Sequence, residues 1–161
     1  MNLESTIKTI LIENNLAKNR YVDFTIDSEQ IVELMAILKS SIDLDFDLLE
    51  SITAIDLEDG SFKVIYHLTS ITKNYKLAVN TTFSTNSIQS VSGVYPTANW
   101  HEREAFDLFG ILFENHPDLR RIFMPDDWEG NPMLKNYKTA ETYHGVKIDY
   151  EDDSSSPQRK D

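Results

Sequence analysis

The sequence predicts an α+β fold: a small, mostly antiparallel sheet covered by helices, with an extended irregular C-terminal segment. Two period-2 apolar runs indicate strands, and two upstream segments with helical apolar spacing indicate the covering helices. Four of the five prolines fall between residues 96 and 132, where regular structure should thin out. With 161 residues, we expect a single domain over 1–148 and a disordered acidic tail over 149–161.

The first forty residues predict a helix, a strand and a second helix. Residues 3–16 carry apolar side chains at helical spacing, and the stretch from Arg20 to Ile26 predicts a short strand. Asp27 and Gln30 match a capping box that opens a helix ending near Lys39. Its predicted buried stripe consists of Ile31, Leu34, Met35 and Leu38.

The clearest strand signal is a hairpin. Apolar residues recur at every second position from Phe62 to Leu68, and the pattern resumes from Tyr75 to Phe83 after a polar turn at 72–74. Two such runs joined by a short turn predict an antiparallel hairpin. The segment Ile52–Leu57 supplies a third strand, which gives the sheet one face for helices to cover.

Composition excludes several classes of function. The formal net charge of −12 disfavours binding to nucleic acid phosphates. The absence of cysteine excludes disulfides and thiolate-ligated clusters, and no Gly-rich loop is available to hold a phosphate. No apolar run approaches the roughly 20 residues of a membrane span, and the start lacks a signal-peptide pattern. We therefore expect a cytoplasmic compartment.

An acidic stretch precedes the hairpin. Seven carboxylates and no Lys or Arg lie between residues 43 and 59. Such clusters are typical of solvated turns and edges. The alternative is a docking surface for a basic partner.

Residues 97–110 predict a further helix, with Thr97 or Asn99 as its cap and Gly110 at its C-terminal stop. One side carries four residues, Trp100, Arg103, Glu104 and Asp107. Arg103 and Asp107 lie four apart, so they can pair along that side. The opposite side is apolar and consists of Ala105, Phe106, Leu108 and Phe109.

Glu102 falls within that apolar side of the predicted helix. A carboxylate buried there must ionise against a partner or stay protonated. The candidate partners near it in the sequence are Arg120 and Arg121.

A metal site is the alternative interpretation of the same window. His101 and Glu104 lie three apart on a helix and His116 follows, and two histidines with carboxylates could hold zinc or iron. In the structural interpretation, which we favour, His116 braces a turn before Pro117 and His101 supports the start of the helix. We predict no catalytic, cofactor-binding or metal-binding residue in this chain.

The aromatic residues of the window also have two interpretations. They either form core, with arginines and carboxylates pairing around it, or form a protein–protein contact surface, where Trp and Arg anchors carry much of the binding energy. The residues concerned are Trp100, Phe106, Phe109, Phe113, Phe123 and Trp128.

The segment ANWHEREAFDLFG at 98–110 resembles the signature of the 30 kDa subunit family of respiratory complex I. The resemblance continues through FENHPDLRRI at 113–122 and MPDDWEG at 124–130. Upstream, FDLL at 46–49, ITAID at 52–56 and VIYHL at 64–68 are also similar to the family. The resemblance covers roughly residues 30–137.

The chain departs from the family pattern at two places. It reads PMLKNY at 132–137 where the family commonly has PLRKDY, which removes one arginine and one aspartate from this loop. Asn115 replaces a usual glycine. The short tail is expected to belong to the unfused form of this family.

The resemblance implies a cofactor-free peripheral-arm subunit of a proton-translocating NADH:quinone oxidoreductase. Its implied partners are the quinone-chamber subunit, of the 49 kDa type, and the cluster-bearing subunit, with FMN, iron–sulfur clusters and quinone bound in partner subunits. The implied location is peripheral, on the cytoplasmic side of the inner (cell) membrane. The residues expected in a signature and subunit-interface network are Trp100, His101, Glu102, Arg103, Glu104, Asp107, His116, Pro117, Arg120, Arg121 and Trp128.

Two alternatives to this function stay open at this point. Related chains occur in membrane-bound hydrogenases and in dehydrogenases fed by ferredoxin or a deazaflavin, and the sequence does not name the electron donor. A more remote alternative is a stand-alone metal-dependent hydrolase that uses His101, Glu104 and His116.

Overall fold

A computed structural model describes Thr9, residues 21–57 and residues 59–148. The predicted helix over 3–16, Thr9 apart, and the predicted disordered tail over 149–161 lie outside the described residues. Among the described residues, no helix combines the length and the apolar character needed to cross a membrane.

A four-stranded sheet forms the centre of the described fold. Its strands are β1 (Tyr21–Thr25), β2 (Leu48–Asp56), β3 (Phe62–Ser70) and β4 (Tyr75–Phe83), in the spatial order β1-β4-β3-β2. The β2–β3 and β3–β4 pairs are antiparallel, which confirms the predicted hairpin, and β1 pairs with β4 in parallel. The third predicted strand is also confirmed, although it begins four residues earlier, at Leu48.

The first described helix, α1 (Ile31–Ser40), buries the predicted stripe of Ile31, Leu34, Met35 and Leu38. The predicted capping box is wrong. A 3₁₀ turn over Ser28–Gln30 precedes α1, and the carbonyl of Asp27 accepts the Gln30 N–H, while the Asp27 side chain makes no capping hydrogen bond. The tighter i→i+3 bond of the 3₁₀ turn supplies the first acceptor that a side chain would otherwise provide.

The second helix, α2 (Ala98–Phe109), packs against β2. It ends at the predicted Gly110, whose left-handed backbone (φ +75°) lets its N–H bond to the Phe106 carbonyl. The predicted N-terminal cap is wrong, because Thr97 lies at the cap position but makes no capping bond. Its hydroxyl donates instead to the carbonyl of Leu49, 3.4 Å away, which ties the start of α2 to β2.

Two pairs of short strands complete the described part of the chain. β5 (Ser87–Gln89) and β6 (Leu112–Glu114) pair in parallel, and β7 (Thr142–Tyr143) and β8 (Val146–Lys147) pair antiparallel. Between β6 and β7 the chain runs irregularly from residue 115 to residue 141, as predicted.

The main core lies between the sheet and the helices. It combines the α1 stripe with the apolar face of the sheet, including Val64, Leu68 and Val79, and with Tyr66 and Tyr95. The acidic stretch lies at its edge as solvated turns: Asp43, Asp47, Glu50 and Asp59 are exposed. Several of these carboxylates join loops, for example Asp47, which accepts the Ile71 N–H at 3.0 Å.

Two buried tyrosines of this core should respond oppositely to loss of the hydroxyl. The Tyr95 hydroxyl donates to the buried Phe46 carbonyl at 2.6 Å, so Tyr95→Phe should lower the free energy of unfolding by about 1–2 kcal/mol. The Tyr66 hydroxyl is buried with no hydrogen-bond partner among the described residues, so Tyr66→Phe should be neutral or stabilising. Urea unfolding of the two variants tests this pair, and equal losses in both would contradict it.

Candidate functional site

The candidate site is built around two buried carboxylates of α2, Glu102 and Asp107. Both side chains are completely buried, and each binds a loop that follows or precedes the helix in sequence. Because a buried carboxylate must find donors, these two residues identify the segments that α2 holds in place.

Glu102 holds the loop that leads into α2. One carboxylate oxygen accepts the Val91 N–H at 2.7 Å, and the other accepts the Ser90 hydroxyl at 2.5 Å and lies 3.9 Å from Nε2 of His116. The prediction that Glu102 is buried is confirmed. The prediction that Arg120 or Arg121 is its partner is wrong, because both arginines lie with the loop that Asp107 binds.

Burial raises the pKa of Glu102 to about 7, against the opposing effect of its hydrogen bonds from Ser90 and Val91. Two neutral-group donors do not replace the water that the carboxylate has lost. Glu102 therefore titrates near neutral pH, between the two states that the sequence left open.

Asp107 organises the loop that follows β6. Its Oδ2 accepts three consecutive backbone N–H groups, from Ile122 at 3.0 Å, Phe123 at 2.7 Å and Met124 at 3.0 Å. Its Oδ1 accepts Nη1 of Arg121 at 3.2 Å. Burial alone would raise the pKa of Asp107, but the three N–H groups and Arg121 outweigh it and hold the pKa below its usual value.

Arg103 binds the same loop through its carbonyl groups. Its Nε donates to the Arg120 carbonyl at 3.1 Å and its Nη2 to the Arg121 carbonyl at 3.4 Å. The guanidinium also lies 4.7 Å from the centre of the Trp100 ring. The predicted pair between Arg103 and Asp107 is therefore wrong, because the two side chains bond to successive carbonyl and N–H groups of one loop rather than to each other.

His116 braces a turn, as the structural interpretation predicted. Its Nδ1 accepts the Asp118 N–H at 3.0 Å, which leaves the proton on Nε2 to donate to the Asn99 carbonyl at 3.1 Å. Asn115, which precedes it, has a left-handed backbone (φ +63°), and this explains why the family commonly has glycine there.

The remaining predicted residues lie at the margin of the site. Arg120 is exposed and pairs with Asp118 at 2.9 Å, Pro117 is exposed, and His101 and Glu104 are half-buried. Trp128 is half-buried and donates its ring N–H to the Tyr137 hydroxyl at 3.0 Å. Within the described ranges, no three His, Asp or Glu side chains are placed to share a metal ion, so the hydrolase alternative finds no support there.

The aromatic residues divide between the two predicted interpretations. Phe113 is buried, and Phe106 and Phe109 pack partly buried against the core. Trp100 and Phe123 are each 63% exposed, so the core interpretation is wrong for these two.

Sequence reasoning missed Ser90, Val91 and Asn131. The Asn131 amide donates to the carbonyls of Phe106 at 3.3 Å and Asp107 at 3.0 Å, and thereby satisfies the C-terminal end of α2. Asn131 follows a glycine and precedes a proline, which is a turn signal, but nothing in that pattern names the helix it caps.

Comparison with known sequences points to one family. Residues 24–143 match the family described as the respiratory-chain NADH dehydrogenase 30 kDa subunit. The C-type subunit of the NADH-quinone oxidoreductase from Chloroherpeton thalassium is 46% identical over 110 residues, which span 66% of this chain and 46% of that relative. The protein of the same name from Chlorobium phaeobacteroides is 40% identical over 129 residues, 78% of each chain. This chain thus spans about half the length of the first relative and most of the second.

Solved structures have the same fold. A trypsin-resistant fragment (1–134) of Nqo5 superposes with a TM-score of 0.57 at 27% identity, over 74% of this chain and the whole of that fragment. A chain from the membrane-bound sulfane sulfur reductase, an archaeal respiratory membrane complex, gives a TM-score of 0.62 at 27% identity, over 77% of each chain. The predicted family and the predicted α+β fold are both confirmed.

The Asp107 site predicts a local effect of removing charge. Asp107→Asn keeps the shape but weakens the charge-assisted bonds to three N–H groups and Arg121, so the loop should open more often. Limited trypsin digestion should then cleave after Arg120 or Arg121 at least about tenfold faster, a change that corresponds to roughly 1.4 kcal/mol. Glu104→Gln, three residues away on the same helix, is the control and should leave the cleavage rate unchanged.

The Glu102 site predicts a pH dependence of stability. Because the folded pKa is about 7 and the unfolded value is 4.5, the folded state keeps a proton that the unfolded chain releases, so this stabilisation is full below about pH 4.5 and lost as pH rises through 7. The loss is of the order of 3 kcal/mol at about 1.4 kcal/mol per pH unit. Glu102→Gln mimics the protonated form, so urea midpoints measured from pH 5 to 8 should fall in the parent chain and lose that decline in the variant. Parallel curves for the two proteins would contradict the assignment.

Proposed function

Since this chain belongs to the 30 kDa subunit family of respiratory-chain NADH dehydrogenases, and is thus part of a complex I-type, membrane-associated assembly, we propose that it is a peripheral-arm subunit of a proton-translocating NADH:quinone oxidoreductase. In this function it packs on the quinone-chamber subunit, of the 49 kDa type, and lies beside the cluster-bearing subunit. Electron transfer to quinone is the work of the whole complex, with FMN, iron–sulfur clusters and quinone held by the partners. The assembly lies on the cytoplasmic side of the inner membrane.

The observation that carries this proposal is the family match over residues 24–143, with the 40% identity that spans 78% of both chains for the Chlorobium relative. The chemistry of α2 agrees with a structural role. Glu102 and Asp107 direct their oxygens at backbone N–H groups, the Ser90 hydroxyl and Arg121, so that they hold loops rather than face an open cavity. Buried charges used in this way fix the position of one segment on another.

The likeness to the sulfane sulfur reductase chain favours one second candidate. That complex is an archaeal respiratory membrane complex whose chain shares this fold at 27% identity. The second candidate is therefore the equivalent subunit of a related membrane-bound hydrogenase, or of a dehydrogenase fed by ferredoxin or a deazaflavin. The names of the relatives at 40–46% identity favour NADH as the donor.

A pull-down tests the proposal directly. The tagged chain, expressed at its own level, is recovered from its own membranes in mild detergent, and the subunits that accompany it are identified by mass spectrometry. We expect the quinone-chamber, cluster-bearing and FMN-bearing subunits in constant ratio to the bait. Recovery of the chain without redox subunits would contradict the proposal.

The electron donor is then identified on the recovered complex. Reduction of a short-chain quinone should proceed with NADH as the only donor added. Activity with reduced ferredoxin, reduced deazaflavin or hydrogen in place of NADH would assign the chain to the second candidate.

A further inference from the structure

Two large aromatic side chains project from neighbouring parts of the site into solvent. Trp100, in the first turn of α2, and Phe123, in the loop after β6, are each 63% exposed. Isolated exposed apolar residues are ordinary on protein surfaces, so exposure alone identifies nothing. What distinguishes this pair is the way in which the chain holds the backbone beneath them.

The backbone under both side chains is fixed by buried charges of α2. Asp107 accepts the N–H of Phe123 itself and those of its two neighbours, and Arg103 donates to the carbonyls of Arg120 and Arg121. The guanidinium of Arg103 also stacks beneath Trp100, with its central carbon 4.7 Å from the ring centre. Trp100 and Phe123 therefore belong to one fixed unit, and a partner that binds them has little ordering to impose.

The charge around the pair differs from that of the rest of the chain. Arg103, Arg120 and Arg121 are all the arginines of the described residues, and all three contact this loop or form part of it, although the whole chain carries a net charge of −12. The Arg120 side chain is exposed, and its Asp118 partner is also exposed, so solvent screens their pairing. Trp and Arg are the residue types that dominate binding energy at interfaces.

We propose that Trp100 and Phe123 are the two anchors by which this chain docks on the quinone-chamber subunit. The socket that receives them is apolar and carries Asp or Glu at its rim, where a carboxylate can take Arg120 from its solvent-screened partner. This assignment rests on the proposed function for the identity of the partner. It adds the residues that make the contact and the chemistry of the surface that receives them.

The test combines truncation with cross-linking in the assembled complex. Trp100→Ala together with Phe123→Ala should lower the quinone-chamber subunit recovered per bait by at least about tenfold, because central aromatic anchors are the costliest residues to truncate at an interface. Ile71→Ala is the matched control: Ile71 is 64% exposed but lies in the β3–β4 turn, so recovery should stay at the level of the parent chain. Equal recovery with the double variant and the parent chain would overturn the proposal.

Photo-cross-linking keeps the test decisive if the double variant folds poorly. A benzoylphenylalanine group at position 100 or 123 is close in size to the residue it replaces, and should cross-link to one apolar segment of the quinone-chamber subunit that contains Asp or Glu. The same group at position 71 should give no such product. Cross-links from 100 and 123 to another subunit, or none from either position, would overturn the proposal.

The outcome also separates this inference from the proposed function. If the parent chain recovers the redox subunits but the anchors prove dispensable, the anchor assignment fails and the proposed function stands. If the parent chain recovers no redox subunit, the proposed function itself fails.

Discussion

The arrangement of the second half of the chain depends on one carboxylate. Asp107 gathers three successive N–H groups of a segment that has no strand or helix to satisfy them, and its second oxygen binds Arg121. Placing a negative charge in the interior is costly, but several charge-assisted bonds to fixed donors offset that cost. Without this acceptor, residues 121–124 would turn their N–H groups to water, and the positions of Phe123 and Arg121 would no longer be defined.

Glu102 and Asp107 show how environment separates two carboxylates on one helix. Both are fully buried, yet the pKa of Glu102 is raised to about 7 and that of Asp107 is lowered. The difference lies in the donors. Asp107 has three N–H groups and a guanidinium, whereas Glu102 has one N–H and one hydroxyl. Counting the donors that reach each carboxylate explains the direction of both shifts.

The sequence predicted those features that follow from local periodicity. The α1 stripe, the β3–β4 hairpin, the Gly110 stop and the burial of Glu102 all follow from spacing within one element, and the structure has each of them. The partners of the buried charges were predicted wrongly, because Ser90, Val91 and the backbone of residues 120–124 meet α2 only through tertiary structure. Backbone N–H and C=O groups occur at nearly every position, so no residue pattern marks the ones that will act as partners. The N-terminal caps failed for a related reason, since the side chain of Thr97 found a partner on β2 instead.

The parallel pairing of β1 with β4 has a consequence for the order of folding. Tyr21–Thr25 lies against Lys76–Asn80, so β1 is synthesised first but has no partner strand until the whole of β4 has left the ribosome. The hairpin of β3 and β4 closes through a short local turn, whereas seating β1 requires a long loop to close, which is the slower event. Until then β4 has an unpaired edge, and this is the edge at which a nascent chain can join another copy of itself. A ribosome that pauses before residue 84 would therefore prolong the stage at which this protein is most prone to aggregate.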